Sequence, residues 1–166
     1  MKRTLISAAA IAFLLSFVQP AAAEDLASSI VGTWKMTSFI RKEMGTGKTV
    51  KEYGEQPVGY NMYTKGGRLL VFAVVEGRKA PANPAITDAE RLELFNTMFA
   101  YSGTYKVEGN NKLVYSLDGS WNQLWTGRDV VRQAEIVGNK LTLVSPTFKN
   151  PDGHDVVVTS TFERVE

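Results

Sequence analysis

The sequence has no cysteine and a single histidine, His154, among its 166 residues. Without cysteine there is no disulfide framework and no lipid attachment at a lipobox. One histidine and no thiolate also leave a zinc or copper site without its usual donors. Scattered carboxylates show no EF-hand spacing. Asp152 and Asp155 flank His154, but Pro151-Asp152-Gly153 is strong turn chemistry, which sets the imidazole at a loop mouth without a nucleophile or orienting partner. A phosphate-binding loop is missing too. "MGTGKT" ends in Gly-Lys-Thr, yet the position that should carry the motif's first glycine is Lys42, and no parallel βα unit surrounds it. There is no repeat, linker or low-complexity stretch. The chain therefore reads without a catalytic residue, metal or cofactor.

An excess of charge is equally lacking. Of 19 basic residues, Lys2 and Arg3 lie in the first stretch, so residues 24–166 carry 17 basic against 17 acidic side chains. A neutral domain with interspersed signs does not advertise nucleic acid or anionic membrane as a partner. The first stretch has the order of a secretory signal peptide: a basic start, the apolar run "LISAAAIAFLLSFV", and Ala21 and Ala23 at the −3 and −1 positions. The run is too short to span a bilayer comfortably. Residues 1–23 are expected to be a cleavable signal peptide. Residues 24–166 would then be a single periplasmic or secreted domain, with no membrane anchor.

What is present is alternation. Short apolar or alternating runs cover roughly 30–42, 57–64, 68–76, 103–108, 112–118, 129–137, 140–145 and 155–165. Between them lie "TKGG", "EGNN", "VGNK" and "NPDG", rich in the residues that accept tight-turn backbone angles. This predicts an all-β, antiparallel protein. One segment departs from it. In "TDAERLELFNTMFAY", Thr87 and Glu90 form a capping box, and Leu92, Phe95, Met98 and Phe99 recur at helical spacing. A single helix is thus expected between the third and fourth of eight strands, its stripe laid over a barrel face or mouth. Closing the eight strands into an up-and-down barrel removes their edges.

Gly32-Thr33-Trp34 resembles the Gly-x-Trp that opens the first strand of lipocalins. The order of "LASSIVGTWKMTSF", "YGEQPVGYNMYTKGGRLLV", "TDAERLELFNTMFAYSGTYKVEGN" and "WTGRDVVRQAEIVGNKLTL" is similar to the bacterial and fungal lipocalin-like domain family, over nearly all of residues 26–164. The resemblance implies a barrel whose floor is turned by Gly32, plugged by Trp34 and covered by Arg164 through cation–π stacking. Relatives often carry a histidine where this chain reads "LVYSL"; Tyr115 there weakens any catalytic role borrowed from it.

An eight-stranded barrel is just wide enough to be filled by side chains or to hold one small ligand. Period-two alternation from Trp34 turns Met36 and Ser38 inward. Requiring the bulkiest residues inside selects Tyr60 and Met62, Leu70 and Phe72, Tyr105, Tyr115, and Val158 with Phe162. The same parity sets Arg132 inward beside Val130 and Ala134, where its charge needs a carboxylate, a tyrosine hydroxyl or a ligand's anion. The expected ligand site is therefore Tyr60, Phe72, Tyr105, Tyr115 and Arg132, taking a small hydrophobic or aromatic molecule. Two other readings stand beside it: an isomerase or cyclase using the same cavity, and a stress or assembly factor with a filled barrel.

Overall fold

A computed structural model describes residues 25–166, so the expected signal peptide lies outside the described residues. A short helix, α1 (Leu26–Ser29), is capped by the Asp25 carboxylate and leads into β1 (Gly32–Glu43). There follow β2 (Thr49–Lys51), β3 (Val58–Tyr63), β4 (Arg68–Val74), α2 (Asp88–Asn96), β5 (Met98–Glu108) and β6 (Lys112–Ser120). After a 3-10 turn at Gln123–Trp125 come β7 (Asp129–Val137), β8 (Lys140–Val144), β9 (Phe148–Lys149) and β10 (Asp155–Arg164). All pairings are antiparallel, and β1 joins β10 as well as β3, so eight long strands close into a barrel while β2 and β9 extend its rim.

The helix follows the fourth strand, not the third. The difference is β2, whose three residues are too few to show alternation. They fold back through the "MGTGKT" turn to pair Thr49–Lys51 with Ile40–Lys42 of β1. The capping box forms as its sequence requires: Thr87 Oγ1 accepts from the Glu90 N–H and Glu90 Oε2 accepts from the Thr87 N–H. Helix α2 stops at Asn96, however, so Met98 and Phe99 belong to β5. None of its residues is buried, and Leu92 remains 61 % exposed.

At one end the barrel is solid. Gly32 has φ near +135°, a conformation that L side chains rarely adopt, and a Cβ there would sit 2.3 Å from the Glu166 carbonyl oxygen. The chain can therefore turn tightly against its own last residue. Trp34, fully buried, donates its indole N–H to the Ile30 carbonyl at 2.8 Å. The Arg164 guanidinium lies 4.1 Å from the centre of that ring and donates to the carbonyls of Val31 and Ser29. Leu26, Ile30, Leu113 and Leu141 belong with Trp34 to one buried core cluster.

A bulge then changes what β1 does. The pairing with β10 runs Met36 to Phe162 and then Ser38 to Thr161, so Thr37 is the extra residue. Inner and outer faces exchange across it. Ser38 is not inward as strict alternation expects: both it and Thr37 hydrogen-bond the Thr161 hydroxyl, and Phe39 turns in. Beyond Lys35, β1 also leaves β3 and takes β2 as its neighbour.

Candidate functional site

The half of the barrel opposite Trp34 holds a half-open cavity of about 540 Å³. Its wall is aromatic. Phe39 from β1, Tyr53 from the β2–β3 connection and Phe99 from β5 meet at ring-centre distances of 4.9–5.7 Å. Phe99 stacks on Tyr101 at 5.9 Å and Tyr101 on Trp125 at 6.3 Å, while Trp121 touches both Phe99 and Trp125. Met36, Val71, Leu143 and Phe162 supply the aliphatic and deeper surface.

From β3 and β4, Asn61 and Val71 reach the cavity wall. On β3 and β4 the inward residues are Gly59, Asn61 and Tyr63, and Leu69, Val71 and Ala73. This reverses the expected parity. Tyr60, Met62, Leu70 and Phe72 stand on the outer face, and Tyr60 stacks on its cross-strand neighbour Phe72 at 6.1 Å. Choosing the bulkiest residue locally failed here because large side chains can also pair across strands on the outer face. Neither Tyr60 nor Phe72 lines the cavity.

The other expected ligand residues are divided. Tyr105 turns inward but packs edge-on against Tyr63 and donates to the Thr64 carbonyl at 2.9 Å, outside the cavity wall. Tyr115, fully buried, is part of a polar chain: Asn61 Nδ2 donates to the Tyr63 hydroxyl at 3.1 Å, and the Tyr63 and Tyr115 hydroxyls are 2.6 Å apart. Burial pushes the pKa of both phenols up, so they stay neutral hydrogen-bonding groups. Of the five residues, Arg132 alone is in the cavity wall. Phe39, Tyr53, Phe99, Tyr101, Trp121 and Trp125 were missed. Phe39 is hidden by the bulge, Phe99 by the apparent continuation of α2, and Tyr53 and both tryptophans lie in connections. "SWNQLW" was the one stretch dense enough in aromatics to signal them.

The wall also holds charge. Glu52, Arg128 and Asp129 stand exposed at the rim; Glu52 is held by Arg41, and Asp129 accepts from the Ser116 hydroxyl at 2.8 Å. Two cavity residues carry a buried polar atom without a partner, Asn61 Oδ1 and Trp121 Nε1. No cluster of potential metal ligands occurs among the described residues.

The model of a family described as a lipocalin-like domain matches residues 31–165. Two solved structures are similar at low identity. A lipocalin-like protein from Bacteroides uniformis is 12% identical, with 81% of this chain and 96% of that one covered and a TM-score of 0.43. An uncharacterized protein from Bacteroides eggerthii is 14% identical, with 81% and 98% covered and a TM-score of 0.39. No functionally curated protein matches.

Proposed function

As this chain belongs to the lipocalin-like domain family, we propose that its barrel is a binding chamber for one small hydrophobic or aromatic molecule, taken up without a cofactor. The observation that carries this reading is the 540 Å³ hollow walled by stacked aromatics. Ligand pockets span roughly 300–1,000 Å³ and combine apolar walls with a few fixed polar groups. A filled barrel, as an assembly factor would allow, is hard to reconcile with that volume. The reading includes export to the periplasm or the outside of the cell, supported by the leader pattern of residues 1–23. Protein recovered from that compartment is expected to begin at Glu24, and intact Met1 would remove this part.

Mass spectrometry of small molecules that co-purify with the natively expressed protein tests the function. A defined aromatic or apolar compound, recovered unchanged and lost from Phe39→Ala, is the expected result. Turnover of that compound to an isomer would replace binding by catalysis. Tyr60→Ser is the control, because its ring lies outside the barrel and affinity should stay within about twofold, as for other surface changes.

A further inference from the structure

Two donor side chains of the cavity wall, Arg132 and Tyr101, have no carboxylate partner among the described residues. Arg132 enters the wall from β7, and one of its N–H groups donates to the Val131 carbonyl at 2.8 Å. Among the described residues, no carboxylate is within salt-bridge distance of it. The acids that share the wall are engaged at the rim, Glu52 by Arg41 and Asp129 by Ser116. Tyr101 is nine-tenths buried in the same wall, and its hydroxyl makes none of the side-chain hydrogen bonds found among the described residues. By contrast the Tyr63 and Tyr115 hydroxyls bond each other. A guanidinium in an aromatic chamber is costly to leave without an anion.

We infer that the ligand is an aromatic acid, its anionic group received by the Arg132 guanidinium and the Tyr101 hydroxyl and its ring by Phe39, Phe99 and Trp125. The inference rests on the binding reading above and narrows it. Arg132 brings a cationic fork of N–H groups matching a carboxylate's two oxygens. Tyr101 adds a neutral donor: burial holds its phenol above the ordinary pKa, with Arg132 opposing in part. Stacking of Tyr101 on Trp125 and Phe99 fixes the ring that carries this hydroxyl. The acid group and the aromatic body are thus held by adjoining parts of one wall.

The test uses two probes of one shape, 2-naphthoate and neutral 2-naphthamide, titrated into the full mature chain by calorimetry at pH 7. Naphthoate should bind at least tenfold more tightly. Arg132→Met should remove that preference, weakening naphthoate by tenfold or more and naphthamide by less than threefold. Tyr101→Phe should weaken naphthoate about threefold to tenfold and leave naphthamide nearly unchanged. If Arg132→Met does not fold, Arg132→Lys and Arg132→Gln replace it: preference kept with lysine and lost with glutamine supports the assignment. Equal affinity of the parent for both probes overturns the acid inference and leaves cavity binding intact, as does a preference that survives Arg132→Gln. Binding of neither probe removes the chamber reading and this inference with it.

Discussion

Trp34 and the tyrosines show how a single side chain can be either structural or available. The indole of Trp34 has its N–H on Ile30 and its face under Arg164, so nothing of it is left for a ligand. Trp34→Ala should cost about 3–5 kcal/mol, the usual range for emptying a buried large aromatic, measured by urea denaturation. A variant as stable as the parent would overturn the floor-plug role. Tyr63, Tyr101 and Tyr115 carry a second, pH-dependent consequence. All three are buried with pKa values raised above that of an ordinary phenol, chiefly by desolvation. In the unfolded chain they release protons near pH 10, whereas the folded chain holds them. Folding stability is therefore unaffected by these groups below pH 10 and falls as pH rises past it. Denaturation curves between pH 8 and 11 should show that decline, and the double variant Tyr63→Phe, Tyr115→Phe should flatten it.

The elements around the cavity do their work through irregularities. Where β1 parts from β3, the gap in the wall is covered by residues 52–57, with Tyr53 set against Phe39 and Phe99. That segment is pinned by Glu76, whose Oε2 accepts from the N–H groups of Glu55 at 2.7 Å and Gln56 at 3.0 Å and whose own N–H donates to the Tyr53 carbonyl. Glu76→Ala removes both carboxylate contacts. Ligand entry and exit, followed by stopped-flow fluorescence, should each quicken by about tenfold with Kd within threefold, given the usual strength of hydrogen bonds to a charged group. Unchanged rates would show that ligands pass elsewhere. These same irregularities mark the limit of what the sequence discloses. Barrel closure, the capping box and the inward side of β6, β7 and β10 follow from alternation and turn chemistry, and the Gly32–Trp34 corner from the resemblance to lipocalins. The site does not. One extra residue at Thr37 exchanges the faces of half a strand, and local bulk misdirects β3 and β4, where Gly59 and Ala73 pack closely inside while Tyr60 and Phe72 pair outside. Both are properties of the closed barrel rather than of any window of residues.

For the whole molecule, the barrel has a solid half and a hollow half. A ligand filling the hollow stabilises only the folded chain. At a hundredfold excess over Kd it should add about 2.7 kcal/mol and raise Tm by roughly 6–10 °C in a thermal melt. No shift with a compound shown to bind would mean that it binds elsewhere, to folded and unfolded chains alike. The seam between β1 and β10 adds something that no static distance expresses. Trp34 pairs in register with Arg164, and Glu43 with Val156. During synthesis β1 emerges first and its partner last, so for most of that time one edge of the growing sheet is bare and the tryptophan lacks its arginine. Unpaired edges and exposed apolar faces recruit other chains. A nascent chain halted before residue 155 should therefore go into the pellet and not the supernatant, whereas the finished chain closes by adding its final strand.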